Sequence, residues 1–399
     1  INVEEFEACN SIYTPNNNAV TFFTQSDLNE KNTVYDVRIY KTDPKDPEEI
    51  IDSWRNIDVD NFIDLEAEHG KINNLILFQS KLYCFQDNAF AQLQIAEKEV
   101  TTSTNAAELT LASSGILERY DYLSTITGSR HQFSFGVSDN SIMWFDAYTR
   151  KLWRFSPGKL EPISEIKGYA SKLYNKLSGD IQISDNPILN KGIHTTYDHR
   201  YNEFIITFLN SIDDYYLTLG YNELLDGFVG EYEFYPTVYI NDKLNIFSVE
   251  SNRSGSDELH LHNYGEYGKF YNQTAKKSKL TFIVNPAPSM EKVLTNFEFD
   301  VNAFKAGTAS TLEIDYQDFI SKIRVYNSYQ NTDFIDTSNI AKKFKTLWNV
   351  KVPTDKVVTV TNSIFDPANL VSPTYTKRLK DKYFMVDLEY SRRMSTTTI

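Results

Sequence analysis

Short apolar segments of five or six residues alternate with polar turns along most of the first 275 residues. The segments KLYCF, SIMWF, EFIITF and KLNIF begin at Lys81, Ser141, Glu203 and Lys243, and each follows another apolar segment after a short polar turn. Strand-length apolar segments joined by such turns are typical of antiparallel sheets. The pattern therefore predicts an all-β protein built from repeated hairpins.

The spacing of these hairpins predicts β-propeller-like blades over residues 71–275. Propeller blades are units of about 40 residues with four strands each, and the four segments start 60, 62 and 40 residues apart. The longer intervals then contain insertions. One insertion is predicted to be a helix near residues 166–180, because four apolar residues from Ile166 to Leu177 share a helical face. A β-sandwich with irregular hairpins is the alternative that this pattern leaves open.

Residues 276–399 differ in pattern and are expected to form a smaller, β-sandwich-like module. Apolar and polar residues alternate through long stretches such as Val293 to Val301, and such alternation predicts strands with one buried face. One short helix is predicted near residues 338–348. The few helices expected in the chain are therefore short and isolated.

Composition and charge narrow the possible functions. The chain has 26 Tyr and 26 Phe among 399 residues, which suits strands. Its formal net charge of −14 argues against a surface that binds nucleic acid throughout. Residues 341–399 are an exception, with 11 Lys and Arg against 5 Asp and Glu. This basic tail either is simply solvated or meets an acidic surface, such as that of a neighbouring copy.

Histidine and cysteine positions predict neither a metal site nor a cofactor. His260 and His262 share a strand face with Glu258, but three side chains on one short segment make a weak metal motif. His131 has no partner residue nearby in the sequence. Two cysteines are too few for a disulfide framework. Apolar stretches of about 20 residues are missing, so no membrane insertion is expected.

The acidic pairs leave one enzymatic alternative open. Glu231 and Glu233, or Asp213 and Asp214, are compatible with a two-carboxylate glycosidase, and propellers host such enzymes. Nothing in the spacing singles out one pair among 54 acidic residues. No catalytic residue is therefore predicted.

Tyrosines concentrate in turns and at strand ends, which predicts a protein interface. Tyrosine offers wide, rigid contact area at low entropic cost, although it also fills the outer faces of twisted sheets. The expected interface residues, including two on the basic C-terminal strand, are Tyr232, Tyr235, Tyr264, Tyr267, Lys380 and Lys382.

The order of several segments resembles a known family of phage proteins. The segments are Tyr221–Phe228, Tyr232–Ile240, Leu259–Tyr271, Phe282–Phe299 and Arg378–Tyr390. Together they are similar to the tail propeller proteins of short-tailed bacteriophages, most closely the muzzle, or tail nozzle, proteins of crAss-like phages. The resemblance extends over about residues 120–390, and the first 70 residues carry little of it.

The resemblance implies a structural virion protein rather than an enzyme. Copies are expected to form a homo-oligomeric ring at the end of the tail that closes or narrows the DNA exit and anchors fibres or receptor-binding proteins. Phage DNA is expected to pass through the ring without specific binding. The protein is expected to be made in the host cytoplasm and to reside in the virion. Residues 1–70 are expected to form an irregular segment with strands that continues an upstream part, and the other fragment of a cleaved precursor is an expected partner. The alternatives are a propeller enzyme or a receptor-binding module acting on host-surface polysaccharide.

Overall fold

Antiparallel strands make up nearly all the regular structure of the computed structural model, as predicted for an all-β protein. The structure describes residues 34–42, 57, 60–95, 100–101, 109–110, 117–176, 185, 191–210, 215–250, 258–265, 268–271, 276–306, 312–315, 319–338, 341–344, 347–352, 358–359, 374–375 and 378–391. The chain divides into two compact units, one ending at Tyr264 and the other starting at Gly265. The sequence pattern had placed this boundary near residue 275.

Three four-stranded meanders and one three-stranded sheet follow one another in the first unit, each antiparallel and in chain order. The first meander consists of Ile72–Phe78, Lys81–Gln86, Phe90–Ile95 and Leu117–Ser124. The second consists of Gly136–Val137, Ile142–Asp146, Lys151–Ser156 and Lys159–Pro162. The third consists of Gly192–Asp198, Glu203–Asn210, Tyr215–Asn222 and Gly227–Tyr232. The fourth sheet consists of Pro236–Asn241, Ile246–Glu250 and Leu259–Leu261.

The second strands of the first three sheets correspond to the predicted segments KLYCF, SIMWF and EFIITF, whereas the second strand of the fourth sheet contains only the last two residues of KLNIF. These strands begin at Lys81, Ile142, Glu203 and Ile246. The repeated hairpin is therefore confirmed, and the sheets repeat in the manner of blades. The described residues do not show a propeller whose blades close into a ring.

Shorter elements complete the first unit. Two-stranded ribbons pair Arg38–Tyr40 with Phe62–Asp64 and Val100–Thr101 with Leu109–Thr110. The helices are a 3₁₀ turn at Ala67–His69 and two α-helices at Ile163–Ile166 and Ala170–Lys176. In the part of the chain that the structure describes, none of these helices is long and apolar enough to cross a bilayer.

The strand Ile142–Asp146 begins with four successive apolar residues, and its position in the fold explains this pattern. Every residue in it is buried. Ile142 and Trp144 belong to a core shared with the first meander, whereas Met143 and Phe145 belong to a core shared with the third. Because successive side chains of a strand point to opposite faces, this strand lies between two cores. The three meanders therefore pack face to face in sequence order.

Tight turns between strands are braced by carboxylates at their first position. The Asp146 carboxylate accepts hydrogen bonds from the backbone amides of Tyr148 and Thr149 at 2.8 and 3.2 Å. Asp198 and Asp242 bond the amides two and three residues ahead in the same way. Such side-chain bonds satisfy turn amides that no neighbouring strand can reach.

The second unit contains one larger sheet and several small ones. The larger sheet comprises Ser278–Val284, Phe384–Tyr390, Lys322–Tyr326, Gln330–Asn331, Val358–Thr359 and Thr374–Tyr375 in this order, with Ile335–Asp336 paired to Lys322–Tyr326. The smaller sheets pair Lys292–Leu294 with Leu379–Asp381, Ala303–Ala306 with Leu312–Asp315, and Asn296–Asp300 with Leu347–Lys351, which also pairs with Ala341–Phe344.

The core of the second unit contains side chains from both the larger sheet and the sheet formed by Asn296–Asp300, Leu347–Lys351 and Ala341–Phe344. Val325 and Val386 from the first and Trp348 from the second are all buried in it. The unit is therefore sandwich-like.

The helix predicted near residues 338–348 is wrong, because this segment forms a strand at Ala341–Phe344. That strand pairs with Leu347–Lys351, and Trp348 stacks on Phe319 with ring centroids 3.8 Å apart. Burial of Trp348 in the core outweighs the helical preference of the local sequence.

Candidate functional site

A cavity of about 200 Å³ lies where the first strands of the four sheets in the first unit come together. It is lined by residues of those strands and of the segment just before the second meander, namely Asn74, Ile76, Gln132, Phe133, Phe135, Val137, His194, Thr195, Val238 and Tyr239. All ten lining side chains are uncharged at neutral pH, with His194 neutral.

His194 is the unusual side chain of this cavity. It is 1% exposed, its ring stacks on Phe133 with centroids 5.6 Å apart, and neither ring nitrogen has a hydrogen bond of good geometry. Burial lowers the pKa of His194 to about 4, against smaller opposing effects of the Asp185 carboxylate and the Lys191 backbone. The imidazole therefore adds no positive charge to the cavity wall at physiological pH.

A buried contact between a histidine and a carboxylate fixes the backbone beside this cavity. The Nδ1 atom of His131 lies 2.6 Å from an Asp185 carboxylate oxygen, and both side chains are 2% exposed. Asp185 also accepts hydrogen bonds from the amides of Phe133 and Ile193 at 2.9 and 3.1 Å. Burial by itself would raise the pKa of Asp185, but these bonds outweigh it and lower the pKa.

Sequence patterns could not reveal this pair, because the two residues are 54 positions apart. His131 has no partner nearby in the sequence, and its partner in the fold is Asp185. Asp185 connects the segment before the second meander to the first strand of the third, so its role is to position backbone rather than to act on a ligand.

His260 and His262, in and beside the last strand of the fourth sheet, contact different side chains. The His262 Nε2 atom lies 2.6 Å from the Ser248 hydroxyl, and burial lowers the pKa of His262 to about 4. The His260 Nε2 atom lies 4.0 Å from the Glu258 carboxylate. The structure thus directs His262 to a hydroxyl and His260 to a carboxylate.

A different group has the spacing of metal ligands. Ligand atoms of Glu66, Glu68 and His69 lie within 4.8 Å of one another on the 3₁₀ turn. Both carboxylates are exposed, and His69 packs edge-on against Tyr122 with centroids 4.8 Å apart. Exposed acidic groups of this kind are common without an ion, so the group assigns no metal.

Among the acidic residues considered for a glycosidase, Glu231 is bonded to neighbouring side chains. Glu231 forms an ion pair with Lys172 and accepts a hydrogen bond from the Tyr169 hydroxyl at 3.3 Å. Asp213 and Asp214 lie outside the described residues.

Glu203 is a carboxylic acid whose pKa is raised, mainly by burial. The Tyr232 hydroxyl donates a 2.7 Å hydrogen bond to it, and only 8% of Glu203 is exposed. A carboxylic acid covered in this way has a structural role.

The structure separates the four tyrosines expected at an interface. Tyr232 is half-buried through its bond to Glu203, and the half-buried Tyr235 packs against Tyr216 with ring centroids 5.7 Å apart. Tyr264 is 84% exposed, whereas Tyr267 lies outside the described residues. Tyr264 is thus the most accessible of the three that the structure describes.

The two lysines lie on or beside the strand Leu379–Asp381. The Lys380 Nζ atom is 2.6 Å from the Glu291 carboxylate, and this hydrogen bond lowers the pKa of Glu291. Lys382 directly follows the strand and is exposed. Both side chains therefore reach the surface of the second unit, and their predicted role at an interface stays a prediction.

Comparisons with known proteins give the family. The model described as crassvirus muzzle protein matches residues 1–252, and the model described as crassvirus muzzle protein C-terminal domain matches residues 265–354. The curated muzzle protein of Bacteroides phage crAss001 is 21% identical over 357 residues. That alignment covers 87% of this chain and 24% of the relative, so the chain spans about a quarter of the relative's length.

One solved structure, a nidogen/laminin complex, aligns with 54% of this chain and 70% of its own chain. Its TM-score of 0.27 and 8% identity are too low to assign a fold or a function. The family models decide the question, because the first one alone matches more than half of the residues. The chain belongs to the crassvirus muzzle protein family.

Proposed function

We propose that this chain is a structural component of a phage virion, located in the tail. It acts there as a subunit of a ring that closes or narrows the DNA exit and anchors fibres or receptor-binding proteins. The observation that carries this proposal is the match of the muzzle family model to residues 1–252. The partners are further copies of the chain and the neighbouring proteins of the tail.

The packing of the first unit supports a mechanical role. Successive meanders share cores on both faces of the strand Ile142–Asp146, and close-packed interiors resist deformation. Such a unit can keep its shape while it holds neighbouring subunits under pressure. Its turns are free to differ in length and sequence, which suits the presentation of attachment surfaces.

The charge of the first unit supports passage of DNA without binding. Residues 1–264 contain 21 Lys and Arg against 40 Asp and Glu. Tight binding of DNA depends on cationic side chains that neutralise phosphates, and an acidic surface repels them instead. This function requires no catalytic residue.

The proposal is tested on purified virions. Quantitative mass spectrometry is expected to find peptides of this chain in a constant ratio to other tail proteins, and gold-labelled antibodies against it are expected at the distal end of the tail. Absence of the chain from intact particles, or labelling confined to the capsid, would contradict the proposal.

A further inference from the structure

Five large apolar or aromatic side chains are exposed on four turns of the first unit. We name them the turn patch: Tyr201 (50% exposed), Leu224 (76%), Leu225 (74%), Leu244 (88%) and Tyr264 (84%). Turns of this kind normally carry Gly, Asn, Asp or Ser. Single exposed apolar residues are common on soluble proteins, but a group on adjoining turns indicates a contact site.

Hydrogen bonds join the turn that contains Tyr201 to the turn that contains the two adjacent leucines. The Asn222 side chain donates to the Tyr201 carbonyl at 2.9 Å and accepts from the Leu225 amide at 2.8 Å. The Glu223 amide donates to the Asn202 carbonyl at 2.9 Å. These two turns therefore form one rigid edge.

The other two turns are tied to the same edge. The Asn263 side chain, next to Tyr264, donates to the Asp198 carboxylate at 2.9 Å, and the same carboxylate holds the Arg200 amide at 2.8 Å. The Asn241 side chain donates to the Tyr197 carbonyl at 2.6 Å. All four turns are thus fixed before any partner arrives, which reduces the ordering cost of binding.

A patch of complementary character lies on the second unit. Met290 is 63% exposed and Val293 is 40% exposed, and Lys380 lies directly opposite Val293 in the strand pairing. Lys382 is exposed beside them, and Lys380 is paired with Glu291 on the same surface. We call Met290, Val293, Lys380 and Lys382 the basic patch; methionine adapts to irregular partners.

Charge distinguishes a second copy from other occupants of the turn patch. The first unit carries 21 cationic against 40 anionic side chains, whereas residues 265–399 carry 19 against 14. The acidic unit of one copy and the basic unit of another therefore attract each other, and such complementarity steers association.

We propose that the turn patch of one copy docks on the basic patch of a second copy. This inference deepens the ring proposed above and rests on that proposed function. The two surfaces differ, so the contact is head-to-tail. A head-to-tail contact generates a ring when the rotation closes.

Cross-linking between isotopically distinct copies tests which surfaces meet. Unlabelled chain with a photoreactive phenylalanine analogue at Leu244 is mixed with ¹⁵N-labelled chain, irradiated, digested and analysed by mass spectrometry. Light-to-heavy cross-links to residues 276–306 or 378–391 are expected. Absence of light-to-heavy cross-links, or their confinement to the first unit of the heavy chain, overturns the proposal.

Self-association measured by sedimentation velocity provides an independent test. The triple variant L224S/L225S/L244S and the double variant K380E/K382E are each expected to weaken association at least tenfold, and raised salt is expected to weaken it in the wild type. The Leu77→Ser variant is the matched control, since Leu77 is 69% exposed and lies on the strand Ile72–Phe78, outside the turn patch. Circular dichroism checks that each variant is folded.

Two results of the association test overturn the inference: a wild-type chain that stays monomeric, or folded patch variants that associate as tightly as Leu77→Ser. If the chain is nevertheless found at the tail tip of virions, the proposed function stands and only this contact fails. If the patches associate as expected but the chain is absent from virions, the proposed function fails instead.

Discussion

At the scale of single residues, carboxylates at the start of turns decide where hairpins close. Asp146 is 1% exposed, and burial raises its pKa despite hydrogen bonds from Tyr148 and Thr149. A buried carboxylate is costly unless it is hydrogen-bonded. The hydrogen bonds from the Tyr148 and Thr149 amides therefore offset part of the cost of burying this carboxylate.

Replacement of Asp146 by alanine is expected to reduce the free energy of unfolding by about 2 kcal/mol, because two turn amides lose their hydrogen-bond acceptor. The Asp146→Asn variant keeps an acceptor oxygen and removes the buried charge, so it is expected to stay within about 1 kcal/mol of the wild type. Urea unfolding of the three proteins measures both effects. Equal losses in the two variants would show that the charge, not the acceptor, matters.

His194 makes stability depend on pH in a defined direction. Its pKa is lowered from 6.5 to about 4 in the folded protein, so the unfolded chain takes up a proton first as the pH falls. Stability is then complete above pH 6.5 and decreases between pH 6.5 and 4. His262 contributes in the same direction, since its pKa is also lowered to about 4.

The His194→Gln variant is expected to show a weaker dependence of stability on pH. Between pH 8 and pH 5 the wild type is expected to lose about 2 kcal/mol through His194 alone, and the variant lacks this share. Urea unfolding at both pH values gives the difference directly, whatever the variant costs at pH 8. An unchanged difference between the two pH values would mean that His194 does not titrate as inferred.

At the scale of elements, the short strand Gly136–Val137 shows how closely the meanders approach. A β-carbon at Gly136 would lie 2.7 Å from the Phe204 ring and 2.8 Å from the Thr195 methyl group. Phe204 is fully buried in the core shared with the third meander. Glycine is required there because two sheets meet, not because the backbone conformation is unusual.

The Gly136→Ala variant is therefore expected to be less stable by about 1–3 kcal/mol, the usual cost of overpacking. Gly230 offers a matched control within a strand, because a β-carbon there meets nothing within 4 Å. Thermal unfolding followed by circular dichroism compares the two alanine variants. A Gly136→Ala variant as stable as Gly230→Ala would show that the sheets can move apart at no cost.

At the scale of the whole molecule, two units have separate cores. The core of the second unit contains Phe299, Val325, Trp348 and Val386, all from residues after Gly265. A unit with its own core can fold alone.

A fragment comprising residues 265–399 is expected to fold by itself. Near-ultraviolet circular dichroism should show fixed aromatic side chains, and urea should unfold the fragment in one cooperative transition. The fragment 1–264 serves as the companion sample. A fragment 265–399 that lacks near-ultraviolet signal would indicate that its core depends on the first unit.

Local patterns predicted the strands better than they predicted the partners of those strands. The segments SIMWF and EFIITF were recognisable because strands and turns leave a period that is visible within a few residues. The helix expected near residues 338–348 is wrong because a contact distant in sequence decides this segment: Trp348 is buried in a core formed with distant strands. Of the expected interface residues, Tyr264 is exposed, whereas the Tyr232 hydroxyl is hydrogen-bonded to the Glu203 carboxylate.

The sequence by itself determined the all-β class, the repeated hairpins, the contrast between an acidic body and a basic tail, and the family resemblance. These properties depend on composition and on short-range periodicity, and both can be read directly from the sequence. Tertiary structure alone decided that His131 meets Asp185, that His194 is buried beside a cavity, and that four turns form one edge with exposed leucines. Contacts between residues far apart in sequence depend on how sheets stack, and that packing is not encoded in any local period.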